Sequence, residues 1–418
     1  MRVSPLLIRI ALVLQLGAAA AWAQSGPIID VQKEADRRIA VGIDKYPLIS
    51  AEEVGSPPGD VLAFDLELSG WFQAVRPGML PPRTINDWQR RGAEVLIEME
   101  TERGSLTASV RDVGTGDILF SRSYPAGRGD RLRDRVHAFA DDVVLSLTGE
   151  RGLAATRVLC EWDPGDGKRI VTMGIDGYGL RELTGDTALE LCPRWSPDGT
   201  RACYTSYQDR YPDVYVHDLV VGSRQKVAAY EGLNAQGDLS PDGTQLVLVL
   251  SWDGDPDIYS KDLTSGSIRR LTRDSGTEAS PCWSPDGKRV AFVSDRSGGP
   301  QIYVMDADGT GSQRVTVRGS YNTAPDWSPD GTQIAYCALQ SNGFQIQVID
   351  LESRQTTTVT ELGGCEDPCF SPDGRSILYS RKAGGRTDLF ITSLNERRTL
   401  RVTRGSGLYT APDWSPLP

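Results

Sequence analysis

Histidine is nearly absent from this chain, with His137 and His217 the only two in 418 residues. General acid–base and metal chemistry at neutral pH commonly rely on imidazole, so the scarcity argues against most hydrolytic and metal-dependent activities. No G-x-S-x-G spacing occurs, which removes the usual nucleophile elbow of a hydrolase. No CxxC pair suggests zinc, although cysteines stand at 160, 192, 203, 282, 337, 365 and 369. A basic patch is lacking as well: 45 Lys and Arg against 56 Asp and Glu give a formal net charge of −11, so nucleic acid is not an expected partner. Beyond the first twenty-three residues no apolar run is long enough to cross a bilayer, and no stable membrane insertion is expected.

Those first twenty-three residues are of another kind. Arg2 and Arg9 precede the apolar run from Ile10 to Ala21, and Ala21-Trp22-Ala23 supplies small residues where a signal peptidase reads. Residues 1–23 therefore read as a secretory signal cut before Gln24. An uncleaved anchor is the alternative, but Arg9 and Gln15 shorten the run well below the roughly 20 residues a span needs. Export implies an oxidising space, yet seven cysteines cannot all pair internally. Small buried side chains in strands are the plainer account of them.

What the chain has in abundance is one repeated stop. In CPRWSPDGTRACY, residues 192–204, strand-forming residues break at Ser196-Pro197-Asp198-Gly199 and then resume. Ser suits the first position of a turn, Pro197 presets φ at the second, and Gly199 accepts a positive φ. The motif returns at Ser240, Ser284, Ser328 and Ser371, and a truncated copy, Trp414-Ser415-Pro416, follows, so successive serines lie 44, 44, 44, 43 and 44 residues apart. Each period resolves into four short strands, for instance Ala279 to Ser284, Lys288 to Val293, Gln301 to Met305 and Gln313 to Thr316. Four strands per 40 to 45 residues is the blade pattern of a propeller. Three strands (about 157–163, 169–175 and 180–184) precede the first full period and a lone one, 410–415, follows the last. Pairing the two sets makes six blades and removes the open edges. The aromatics before the stop, Trp195, Trp283, Trp327, Phe370 and Trp414, are expected between neighbouring blades.

Residues 37–152 lack the period. Arg38 to Ile43, Glu94 to Met99, Ser105 to Asp112 and Asp117 to Tyr124 read as strands. Helical spacing runs from Gly59 to Ser69 and through Leu132, Val136, Phe139, Val143 and Leu147 to a stop at Gly149. The fold class is thus mainly β: a six-bladed β-propeller, 153–418, with a small N-terminal α/β domain, 37–152, behind a mobile arm, 24–36.

With the order of domains, the stretch DLELSGWFQAVRP, the linker GERGLAATRV, and blades carrying APDWSPDG, SDRSGGPQIYVMDADG and a final APDWSP, the chain resembles the TolB family of the Tol-Pal system. The resemblance implies a non-enzymatic periplasmic adaptor, without cofactor or resident metal and monomeric. Its propeller would bind the lipoprotein Pal and its N-terminal arm TolA, supporting outer-membrane integrity and invagination at cell division. The alternative reading is a secreted propeller that binds a small ligand or glycan. Family positions carried onto this sequence place Pal contacts at Leu233, Asn234 and Gln236 and at Thr277, Glu278, Ala279 and Ser280. Tyr321 and Asn322, in the next such loop, join them as exposed docking groups. The TolA epitope would centre on Ile28, Ile29 and Asp30.

One pattern stands apart from the resemblance. The residue before the blade aromatic reads Arg194, Asp238, Cys282, Asp326, Cys369, Asp413, with Leu239 taking the aromatic's place once. Carboxylates on alternate blades would face one axial channel and attract a cation, with Arg194 partly neutralising them. The simpler account has each carboxylate bonded to neighbouring backbone N–H groups.

Overall fold

The computed structural model describes residues 38–44, 56–75, 82, 84–127, 131–185 and 188–418; the expected signal, the arm and with them Ile28, Ile29 and Asp30 lie outside these. The first unit is a five-stranded sheet. Its strands are β1 (Ile39–Asp44), β2 (Phe72–Val75), β3 (Val95–Glu102), β4 (Ser105–Asp112) and β5 (Ile118–Tyr124), in the order β2-β1-β3-β4-β5. β1 runs parallel to β2 and β3, and the rest is antiparallel. Helices α1 (Pro58–Leu68) and α3 (Leu132–Thr148) bury Leu62, Leu66, Val136, Phe139 and Val143 against Val41, Ile97, Leu106 and Val110. Gly149 ends α3 in the left-handed conformation, φ 78°, as its position in the sequence predicts. The short α2 (Ile85–Arg90) and β2 were not expected. α2 starts with a capping box in which Thr84 Oγ1 accepts the N–H of Asp87. Its Trp88 ring lies where a Cβ on Gly42 would stand 2.6 Å away, so β1 needs glycine there.

The second unit is a ring of six four-stranded antiparallel sheets. Their inner strands are Leu408–Trp414 (blade 1), Glu190–Trp195 (blade 2), Asn234–Leu239 (blade 3), Glu278–Trp283 (blade 4), Asn322–Trp327 (blade 5) and Cys365–Phe370 (blade 6), each packed against the next around the axis. Blade 1 is completed from both ends of the ring: Leu408–Trp414 pairs with Arg157–Asp163, followed outward by Arg169–Gly174 and Arg181–Glu182.

The SPDG stop does more than turn the chain. In blade 4 the Gly287 N–H donates to the Ser284 carbonyl at 2.9 Å, and Ser284 Oγ accepts the Arg289 N–H while donating to Asp286 Oδ1. Gly287 has φ 68°, and a Cβ there would come within 3.5 Å of Pro241 in the preceding blade's stop. Gly331 meets Pro285 and Gly374 meets Pro329 in the same way, and Gly199 meets Pro416 of the truncated copy. The stops thus nest round one face, and Ser415-Pro416 belongs to that ring. Between blades, Trp195 Nε1 donates to the Asp413 carbonyl and Trp327 Nε1 to the Cys282 carbonyl.

Candidate functional site

Strand direction gives the disk two faces. SPDG stops and the turns between third and fourth strands share one, the turn face. Loops leading into each inner strand, together with the turns between second and third strands, share the other, the loop face. The N-terminal domain sits on the turn face. Arg133 pairs with Asp176 of blade 1, Glu67 with Arg398 of blade 6, and Glu150 with Arg375 beside the blade 6 stop, while Leu68 and Leu153 join the core that holds Trp414. The described residues of the N-terminal domain leave the loop face clear. Among the described residues of the propeller, exposed large apolar side chains concentrate there: Leu189, Tyr211, Trp252, Val317, Tyr321, Leu339, Leu362 and Leu408, against Leu180, Val220 and Val221 on the turn face.

The loop residues singled out from the sequence divide into two kinds. Thr277 and Tyr321 are exposed, the latter 40% and edge-on to Phe344 at 5.6 Å, while Leu233, Gln236, Ala279 and Ser280 are half-buried. Asn234, Glu278 and Asn322 are buried, at 0%, 0% and 1% exposure, which corrects their reading as docking groups. Asn234 donates to the Tyr230 and Gly232 carbonyls and accepts the Tyr230 N–H. Asn322 donates to the Arg318 carbonyl and Gln301 Oε1. Glu278 accepts from Ser294 Oγ at 2.7 Å and Arg296 Nη2 at 3.0 Å, and burial pushes its carboxyl up. These three hold the loops in shape. Sequence reasoning passed over Trp252, 48% exposed and stacked on Tyr230 at 5.1 Å, with the Lys261 ammonium 5.1 Å from the Tyr230 ring centroid. Its signal was there: Trp252 is a tryptophan outside the pre-SPDG position, in the turn SWDGDP.

At the axis all six inner strands bulge at the same place. Cys192, Gln236, Ser280, Ala324, Asp367 and Ala411 adopt φ between 45° and 54°, and the ladder register shifts beside each. The bulge residues, together with Arg194, line a cavity of about 90 Å³. Arg194 reaches across the ring to Asp326 Oδ1 at 3.1 Å and Asp413 Oδ1 at 3.0 Å. Each carboxylate also accepts a backbone N–H from the next aromatic-bearing strand: Asp413 from Trp195, Asp238 from Trp283 and Asp326 from Phe370. Burial pushes Asp238 up to about 7 and Asp326 to about 6, with Arg194 opposing. Among the described residues no group of three His, Cys, Asp or Glu is placed to hold a metal ion. All seven cysteines are unpaired, and burial drives the Cys192 thiol up to about 12.

A family model, the TolB beta propeller domain, matches residues 144–418. The chain belongs to the TolB family. A relative from Polaromonas sp. (strain JS666 / ATCC BAA-500), the Tol-Pal system protein TolB, is 33% identical over 210 residues, covering 47% of this chain and 49% of that protein. Its counterpart in Jannaschia sp. (strain CCS1) is 32% identical over 228 residues, covering 50% and 51%. The match thus spans about half the length of these relatives. In three dimensions the likeness is wider: the crystal structure of TolB from Acinetobacter baumannii superposes with a TM-score of 0.80 at 26% identity, covering 91% of this chain and 98% of that one.

Proposed function

We propose that this chain is a periplasmic adaptor of the Tol-Pal system. Its domains are the signal, arm, α/β unit and propeller at the boundaries given above. It binds Pal on the loop face of the propeller and TolA through the arm around Ile28, Ile29 and Asp30, and so supports outer-membrane integrity and invagination at division. The observation that carries the Pal surface is the concentration of exposed Trp252, Tyr321, Leu362 and Leu408 on the face away from the N-terminal domain. Family membership supports the system, and among the described residues no helix is long and apolar enough to cross a membrane. Contact falls to Leu233, Gln236, Thr277, Ala279, Ser280 and Tyr321, with Asn234, Glu278 and Asn322 acting from beneath.

The test is calorimetry with purified Pal. Truncating central anchors typically costs about 2 kcal/mol or more, roughly thirtyfold in affinity. Trp252→Ala with Tyr321→Ala is expected to weaken Pal by at least that factor, while Asp308→Ala on the turn face leaves it unchanged. Equal loss from both faces, or none from either, removes the assignment. A pull-down from envelope extract that returns no protein favours a ligand- or glycan-binding propeller instead.

A further inference from the structure

A cleft of about 1000 Å³ separates the start of α3 from blades 1 and 2 on the turn face. Domain boundaries are favoured places for ligand sites. Arg131 at the N-cap of α3, Arg157 and Arg181 of blade 1, and His217 of the blade 2 strand Asp213–Asp218 line it. The acids of the same wall are engaged. Asp176 takes Arg133 and His137, Asp134 accepts the Arg131 backbone N–H at 3.0 Å, and Glu182 faces Arg169 at 3.9 Å. By contrast Arg131, Arg157 and Arg181 form no ion pair with a described residue; Arg157 Nε donates only to Thr172 Oγ1 at 3.1 Å. Burial lowers the Arg157 pKa, Asp134 opposes this, and Arg181 and Arg131 add to it. A protein of net charge −11 has therefore gathered cations in one cleft.

His217 is the second, independent sign. It is 9% exposed and its Nδ1 has no hydrogen-bond partner. Burial and then Arg224 and Arg181 lower its pKa against Asp218, and the Tyr204 ring lies 6.5 Å away. A buried imidazole nitrogen left unbonded costs free energy unless something arrives to use it.

We propose that this cleft binds a phosphate-bearing anion, gripped by Arg131, Arg157 and Arg181, with His217 as a further donor. A carboxylate offers two oxygens in one plane and is satisfied by one bidentate guanidinium. Tetrahedral phosphate oxygens accept from several directions, which suits arginines arriving from a helix start and two strands. The cleft far exceeds a single phosphate, so the ligand carries its phosphate on a larger body. A soluble oligophosphate and a phospholipid headgroup share this chemistry.

Inorganic tripolyphosphate, titrated calorimetrically into the full chain at low salt, is the first probe; phosphatidylcholine vesicles containing phosphatidylglycerol, in cosedimentation, are the second. Wild type and the loop-face control Arg318→Ala are expected to bind tripolyphosphate equally, and Arg157→Ala with Arg181→Ala to bind at least tenfold more weakly. Should the lost Thr172 bond unsettle blade 1, Arg181→Gln alone is expected to cost threefold or more. With two imidazoles in the chain, proton NMR resolves both. Tripolyphosphate is expected to raise the titration midpoint of His217. Vesicles bound by wild type and not by the double variant assign a lipid headgroup, and tripolyphosphate bound with vesicles ignored assigns a soluble ligand. Binding of neither probe, equal affinity in the arginine variants, or an unmoved His217 midpoint overturns the proposal.

Discussion

Of the three acids that alternate round the ring before the blade aromatics, Asp238 is the one that Arg194 does not touch; its contact is the Trp283 N–H at 2.8 Å. Burial holds its pKa near 7, against about 3.9 in an unfolded chain. A carboxyl whose folded pKa is raised keeps its proton longer in the native state, so stability falls as pH rises through the window from about 4 to 7. Asp238→Asn keeps an acceptor for the Trp283 N–H and removes the charge. Urea melts are expected to show the variant more stable than wild type at pH 8, by on the order of 2 kcal/mol once channel water is allowed for, and close to it at pH 5. A variant less stable at pH 8 counts against the assignment. The alternation of acids along the ring was legible in the sequence. Which acid meets Arg194 was not, because it depends on reach across the ring. Asn234, Glu278 and Asn322 misled for the opposite reason: polar residues before an inner strand look like surface, yet their own loops fold over them.

At the scale of elements, the blade strands emerged close to where the spacing put them, because SPDG fixes one end and Gly-rich turns the other. The fourth strand carries a device that went unread. Thr184, Thr272, Thr316, Thr360 and Thr403 recur at the blade period in five of the six blades, with Ala228 at the matching place in blade 2. Each Oγ1 accepts the N–H of a third-strand residue, Ile170, Ile258, Ile302, Ile346 and Leu389 respectively. Thr316 also donates to Gln301 Oε1 at 2.8 Å. The outer ladder ends at Gln313–Arg314, and a side chain takes over where the backbone ladder stops. Val is nearly isosteric but would leave the Ile302 N–H buried and unpaired, at a cost of about 1–3 kcal/mol. Thermal melts of Thr316→Val are expected to show that loss, with Thr316→Ser recovering most of it; an unchanged melting temperature would mean the contact is dispensable. The short α2 and β2 escaped notice because six and four residues are too few for periodicity to show.

For the whole molecule, the six-fold count followed from arithmetic on the repeat, whereas the seat of the N-terminal domain did not, since it rests on pairs far apart in the chain such as Glu67 with Arg398 and Arg133 with Asp176. His137 lies inside that seat, between Asp65 and Asp176. Burial pulls its pKa down, but the two carboxylates outweigh this and hold it well above an ordinary imidazole. Closure of the ring rests on Leu408–Trp414, whose Asp413 takes the Trp195 N–H and Arg194 and whose Trp414 Nε1 donates to Thr156. Deleting residues 408–418 would leave Arg157–Asp163 as an open edge. A lowered melting temperature and self-association in size-exclusion chromatography are expected, partly reversed by adding the 405–418 peptide in trans; an unaltered melting temperature and elution volume would show that the clasp is not needed. The same clasp sets a clock. Its closing strand is made after every other strand of the ring, so neither the nested stops nor the axial Arg194 contacts can be completed while the chain is still emerging. The ring cannot exist as a native state until synthesis has passed Trp414, so the whole length of the propeller must be made before any part of it is held by a closed ring.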